Sequence, residues 1–278
     1  WLSISLFTFA ALCVLWLARY YPSGTSPDTW NQWYQIHGEI PLGDLHTPFH
    51  TLLMALPMKL WDSYAIVILF QILCVSLVSG LLYAGLYKRG VALSFIMLCC
   101  VAFSTAGWCD IYMYPWKDTL YAVMLAMLLY LILWANGHDY RMPVWRAALT
   151  GAVLALIYLL RYNGIVCLLA AGTLFIIMLL RRGLFKQMAA FLLTAVFLIA
   201  GAQALFYNAL GFKRQANGFA MQAFGAGIAA VVAENGNVTE AELQKIDDLL
   251  GVDWIRDHYT PWNATGLIWA AETNDPEG

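Results

Sequence analysis

Charge is what this chain has least of. Only 12% of its 278 residues are Asp, Glu, Lys or Arg, against 62% hydrophobic, whereas a soluble domain has about a quarter of its residues charged. The deficit is concentrated in runs. Ser63 to Tyr87, Gly90 to Cys109 and Gln187 to Phe212 contain no charged residue, and at about 1.5 Å of helical rise per residue each is long enough to cross a bilayer. That excludes a soluble globular fold, which has nowhere to hide so much apolar surface. The net charge of −2, with 15 basic residues dispersed along the chain, leaves no electrostatic footprint for a nucleic acid. The six cysteines contain no C-x-x-C pair and all lie in or beside apolar runs, so they read as packing residues and not as a disulfide framework or metal site. No basic stretch precedes the first apolar run and no small-residue cleavage site follows it, which argues against a signal peptide; Trp16, Tyr20 and Tyr21 look instead like an interfacial belt. Since the chain starts at Trp1 inside an apolar run and stops at Gly278, it is expected to be a fragment.

What is present predicts an all-α integral membrane protein. About seven transmembrane helices can be placed, at roughly 1–20, 64–87, 91–109, 118–135, 144–161, 164–180 and 187–207. The connections sort by charge. Lys88-Arg89, Arg141 with Arg146, and Arg181-Arg182 with Lys186 fall on one side, while Tyr20 to Met58 on the other contains no Lys or Arg. The positive-inside rule then gives a multi-pass protein of the cytoplasmic membrane with its N-terminus in the cytoplasm and the loop 21–63 and the C-terminal segment outside. The alternation closes only if the segment 49–61, which carries Pro57 and Lys59, forms an interfacial or re-entrant helix in the first outer loop. Two domains follow: a transmembrane part over 1–210, and over 211–278 the start of a small, truncated extracytoplasmic helical domain. In the latter, Thr239 to Glu242 form a capping box, and the helix it opens, with Leu243, Ile246 and Leu250 on one face, stops at Gly251.

The outer face gathers the polar candidates. Arg161 stands 14 uncharged residues after Arg146, about 21 Å of helix against a hydrocarbon core of about 30 Å, so it sits near the outer headgroup level. Two readings stay open for it: bidentate binding of a lipid-borne phosphate, or an interfacial arginine snorkelling to ordinary headgroups or paired to a carboxylate. Asn163-Gly164 lets the chain turn back. Asp28 is either a general base at the membrane surface or a turn aspartate after Pro27. Glu39, Asp44, His46 and His50 share its loop, with Thr47 an expected N-cap and Pro48 the first helical residue. The spacing of His37, Asp44, His46 and His50 matches no metal-ligand pattern, so no cofactor is assigned, though a divalent metal stays open. Between two spans lie Asp110, Lys117 and Asp118 with Tyr112, Tyr114 and Trp116. Asp118 is expected to cap the following helix, Lys117 to balance a second phosphate charge and Asp110 to supply a second acid, while the aromatics either belong to the interfacial belt or stack on a sugar.

These motifs resemble, in order, those of the DUF6020 type of bacterial multi-span proteins: Tyr21-Pro22-Ser23-Gly24-Thr25-Ser26-Pro27-Asp28, Gly38-Glu39-Ile40-Pro41, His46 to Thr51, Pro115-Trp116-Lys117-Asp118 and Arg161-Tyr162-Asn163-Gly164. That family in turn is similar to the GT-C superfamily of lipid-dependent glycosyltransferases. The resemblance implies a GT-C-like architecture in which an acid of the first outer loop, here Asp28, activates the acceptor, with Asp110 as the second acidic position. It also implies a polyprenyl-phosphate-linked sugar donor at the outer leaflet. Two departures stand out. Asp28 is followed by Thr29 and not by a second acid, and Tyr162 stands where relatives often have His.

The expected function is an inverting sugar transfer on the outer face, with Asp28 as base, and with Arg161, Lys117, Asn163, His46, His50, Tyr162 and Glu39 around the donor. The acceptor would be an envelope saccharide, lipid or protein, and membrane lipids would be the remaining partners. The alternative is a flippase or transporter, or a polymerase or ligase, of lipid-linked saccharides. Transport is disfavoured because the span interiors hold no central ionisable residue and no internal repeat is visible.

Overall fold

The computed structural model describes residues 2–103, 112–214 and 227–260. Among them the ordered elements are helices, with one isolated bridge between Gly43 and Lys213 and no strand. The chain packs as two compact units, Trp1–Lys213 and Arg214–Gly278. Residues 211–213 stay with the first unit for two reasons: Phe212 is buried against Leu159 and Phe206, and Lys213 exchanges backbone hydrogen bonds with the Leu42–Asp44 segment.

Among the described residues, nine helices of the first unit position everything that follows. They are α1 (Leu2–Leu15, continued by a π-helical turn Trp16–Tyr20), α2 (Pro27–Ile36), α3 (Pro48–Met58), α4 (Tyr64–Tyr87), α5 (Leu93–Phe103), α6 (Lys117–Gly137), α7 (Val144–Leu160), α8 (Gly164–Arg181) and α9 (Phe185–Gln203, continued over Ala204–Ala209). Five are long and apolar enough to cross a membrane: α1 and α9 with their extensions, α4, α6 and α8. The chain is therefore an all-helical membrane protein. Seven crossings are expected from the sequence, and two of those segments fall short of the criterion. Helix α7 has 17 residues, about 25 Å at helical rise. Helix α5 is described for 11 residues, starting two residues into the expected 91–109 segment, and residues 104–109 of that segment lie outside the described residues.

Packing explains why a short α7 suffices. It is the hub of the unit, with Ala147, Thr150, Gly151, Val153, Leu154, Ala155 and Ile157 all buried, so its ends are shielded by neighbours and not by its own length. Ala147, Gly151 and Ala155 recur every fourth residue, a small-residue stripe that lets another backbone approach closely. At Gly151 the backbone of α9 comes so near that a Cβ would lie 2.3 Å from the Phe191 carbonyl oxygen. Around this contact Leu128, Leu131, Leu154, Ile157, Phe175, Leu179 and Phe191 form the main core, and a second cluster joins Leu12 and Trp16 to Ile68, Ile72 and Met113. Cys13, Cys74 and Cys167 flank these clusters as packing residues. Outward, Val14, Val166, Leu169, Val196 and Phe197 are exposed, as expected of a surface facing lipid tails.

The bundle has two chemically different ends. One carries Lys88, Arg89, Arg141, Arg146, Arg181, Arg182 and Lys186, tied together by Arg182 on Asp139, by Arg89 on the Leu133 carbonyl and by Gln187 on the Met142 carbonyl. The other is covered by α2 and α3. Helix α3 starts at Pro48 and ends at Met58, three residues short of the expected 49–61 segment, because the chain turns at Lys59 to Ser63 before α4. Helix α2 is a finding of the structure, since the sequence predicts an outer loop over that stretch. Ser26 and Thr29 cap it reciprocally, Pro27 opens it, and its inner face is polar, with Thr29, Gln32 and Gln35 buried.

In the second unit the expected capping box is present. Thr239 accepts from the Glu242 backbone and Glu242 reaches back to Thr239, opening α10 (Glu240–Leu250), which ends at Gly251 with φ 75° before α11 (Val252–His258). Ala229 and Val232, from a helical stretch at 227–233, pack with Val252 and Ile255 beneath Leu243 and Ile246.

Candidate functional site

At the end covered by α2 and α3, five charged or titratable side chains from four segments converge. Asp28 is the second residue of α2 and Lys117 the first of α6; their Oδ2 and Nζ atoms are 3.4 Å apart. His46, in the turn before α3, lies beside both, with Nδ1 3.4 Å from the Lys117 ammonium and 3.7 Å from Asp28. Asp118, next to Lys117, is bonded by Arg161 at the C-terminal end of α7. The expected capping role of Asp118 is corrected here: α6 has no side-chain cap at its start, and the carboxylate is committed to the guanidinium.

Local structure explains the convergence. Trp116 donates its indole N–H to Ser26 Oγ at 2.9 Å, and the Gly24 backbone N–H bonds the Met113 carbonyl, so the approach to α6 is laced to the start of α2. Thr47 caps α3 by position but not by hydrogen bond; its hydroxyl donates instead to the Leu160 carbonyl at 3.0 Å. That bond fixes the His46 turn to the end of α7, one residue from Arg161. Gly164 is required on the far side, since a Cβ there would lie 2.4 Å from the Ile157 carbonyl oxygen, and the tight turn keeps Arg161 at the helix end.

Two histidines are held neutral. Burial first, and then the Lys117 charge, push His46 down to about 4, against a smaller upward pull from Asp28. At neutral pH its pairing with Asp28 is thus not ionic, and Lys117 supplies the charge. An ammonium only donates, so Nδ1 of His46 is the acceptor and its proton sits on Nε2. His50 is fully enclosed and pushed down to about 3 by burial, with Lys117 and His46 adding. Its Nδ1 donates to Gln32 Oε1 at 3.0 Å while Gln32 Nε2 donates to Thr51, which leaves Nε2 buried without a partner. Acid therefore destabilises the fold. Below about pH 6.5 unfolded histidines bind protons that His46 and His50 refuse until about 4 and about 3, so stability falls at about 1.4 kcal/mol per pH unit for each. Thermal unfolding midpoints taken from about pH 7 down to about pH 5 are expected to fall steadily, with a shallower slope in His50→Gln. A flat profile in the wild-type protein would mean that neither ring is held neutral.

Several expected site residues take other roles. Asp44 accepts from the Tyr207 hydroxyl at 2.7 Å, and its backbone carbonyl takes the Tyr162 hydroxyl at 2.8 Å. Tyr162 therefore anchors the Asp44 turn; burial, reinforced by the Asp44 carboxylate, raises its pKa and keeps it a donor. His50, sealed beneath α2, offers no atom to a ligand and acts as support. Glu39 lies past the far end of the ten-residue α2, about 15 Å along the axis from Asp28, and its charge falls on His37, not on the cluster. His37 bonds the Trp33 carbonyl and Asp62, and the carbonyl, followed by Asp62, raises its pKa. His37, Asp44, His46 and His50 thus have separate partners, and among the described residues no three His, Cys, Asp or Glu side chains converge on a metal position. Asn163 is exposed beside Arg161 and caps nothing. Asp110 lies outside the described residues.

Gln32 is a residue the sequence reading missed, and the signal was available: Ser26-Pro27-Asp28-Thr29 is a helix start, and Gln32 and Gln35 follow Thr29 at helical spacing. No family model, curated protein or solved structure matches this chain.

Proposed function

We propose that the protein is a membrane-embedded glycosyltransferase of GT-C-like architecture, moving a sugar from a polyprenyl-phosphate donor to an acceptor on the outer face. On this reading the Lys/Arg-rich end lies in the cytoplasm by the positive-inside rule, and the Asp28 cluster at the opposite end then faces outside. The reading is supported above all by the gathering of Asp28, Lys117 and Arg161 at one end of an apolar bundle, where a lipid phosphate lies at headgroup depth.

Each side chain then has a task. The acceptor hydroxyl oxygen attacks the anomeric carbon, the bond from that carbon to the phosphate oxygen breaks, and its electron pair leaves with the polyprenyl phosphate. The hydroxyl proton passes to the Asp28 carboxylate. Lys117 and Arg161 stabilise the charge growing on the departing phosphate. Arg161 spends Nη1 on Asp118 and is about two-fifths exposed, so the rest of its donor fork remains for phosphate oxygens. Neutral His46 orients the Lys117 ammonium without adding charge of its own.

The test is transfer by the protein reconstituted in liposomes with polyprenyl-phosphate donors carrying radiolabelled hexoses. With an envelope extract added to supply acceptors, protein-dependent movement of label from the donor to a second molecule is expected. Lys117→Met should lower kcat about tenfold or more with a smaller change in the KM for the donor, as loss of a charge that acts on the departing phosphate does. Label retained on the polyprenyl phosphate itself for every donor offered would defeat the proposal.

A further inference from the structure

A cleft of the first unit lies at the end opposite the Asp28 cluster. It holds about 570 Å³ between the C-terminal ends of α4 and α6 and the start of α7, and its polar wall comprises Lys88, Arg89, Arg146, His138, Tyr130 and Trp134. No Asp or Glu lines it. The nearby Asp139 is taken by Arg182.

Three cations around a cleft without a carboxylate repel one another unless an anion enters. Arg146 sharpens the point. Its Cζ lies over Trp134, 3.6 Å from the ring centroid, with Trp145 at 4.9 Å, and its Nη1 is shut off from solvent with no hydrogen-bond partner among the described residues. A buried guanidinium N–H left unpaired costs free energy that an acceptor would recover. Arg89 is held rather than mobile, donating to the Leu133 carbonyl and packing over Gly137. The wall therefore combines oriented cations with aromatic faces at the level where apolar helices end, the construction expected for a phosphate headgroup at the membrane boundary.

We infer that this cleft binds a phosphate monoanion or diester, the chemistry shared by an anionic phospholipid headgroup and free phosphate. The inference does not depend on sugar transfer, because it uses no residue of the Asp28 cluster. Bound there, the anion would neutralise Lys88 and Arg146 together and clamp α4, α6 and α7 at their shared end.

The experiment is thermal unfolding of the delipidated full chain in neutral detergent, titrated with dioctanoyl phosphatidylglycerol, dioctanoyl phosphatidylcholine or inorganic phosphate. Phosphatidylglycerol is expected to raise the midpoint saturably at concentrations where phosphatidylcholine has no effect. Stabilisation by inorganic phosphate at the same concentration assigns the site to free phosphate, and stabilisation by the lipid alone assigns it to the headgroup. Lys88→Glu, at an exposed position, is expected to fold normally and to weaken the half-saturating concentration roughly five- to tenfold. Arg146→Gln should do the same if it can be purified, and Lys88→Glu decides the matter if it cannot. Equal responses to phosphatidylglycerol and phosphatidylcholine, no response to any titrant, or an unchanged half-saturation in Lys88→Glu would each overturn the inference.

Discussion

Asp28→Asn is expected to lower kcat for sugar transfer by about 10²- to 10⁴-fold, the range typical for losing a positioned general base. Three carboxylates stand near the cluster, and their commitments differ. Asp118 is bonded by Arg161, and Asp44 takes the Tyr207 hydroxyl. Among the described residues Asp28 has long contacts from Lys117 and His46, both to Oδ2, and its side chain is 55% exposed, which leaves it open to an incoming hydroxyl. Asparagine keeps the shape and can still meet Lys117 but accepts no proton. Because the pair is exposed, stability should change by less than about 1 kcal/mol, so the unfolding midpoint separates lost chemistry from lost fold. Asp118→Asn makes the contrast: it frees Arg161 and should act mainly through donor KM. Transfer by Asp28→Asn within about twofold of wild type would remove Asp28 from the mechanism, whatever the effect at Asp118.

How legible the site was depends on which residue signals it. Apolar runs announced α1, α4, α6, α8 and α9 because a helix in lipid must be hydrophobic around its circumference, and charge alone marked the ends. Arg161, Lys117 and Asp28 stood out as ionisable groups beside such runs, and the structure brings them to one end. Helix α2 was invisible to the same reasoning, since its buried face is Thr29, Gln32 and Gln35, polar residues, of which Gln32 answers His50 and Thr51, instead of an apolar stripe. Hydrophobic periodicity cannot register such a face; only the Ser26–Thr29 capping pattern could. The partner of Arg161 was hidden for another reason. A carboxylate in the first turn of a helix is ordinarily a cap or a dipole partner, and the 43 positions separating Asp118 from Arg161 are bridged only once α6 and α7 lie antiparallel.

That pairing of helices rests on α7, and Gly151→Leu is expected to prevent the bundle from assembling. The first carbon of any side chain at 151 would fall 2.3 Å from the Phe191 carbonyl oxygen and 3.1 Å from its carbon. The obstacle is backbone, which cannot rotate away as a side chain tip would, so α9 must move off α7 as a body. Overpacking a well-filled core costs about 1–3 kcal/mol when side chains can adjust, and separating two backbones should exceed the upper figure because Leu154, Phe175 and Phe191 lose their shared contacts. Such a loss is comparable with much of the stability of a folded chain. The expected result is aggregated or proteolysed protein in place of a monodisperse peak after detergent extraction, with Gly151→Ala intermediate. Gly201, also on α9, supplies the control: nothing lies within 4 Å of its Cβ position, so Gly201→Ala should be neutral or gain up to about 1 kcal/mol of helix propensity. Should Gly151→Leu extract and unfold like wild type, the close α7–α9 approach would be wrong.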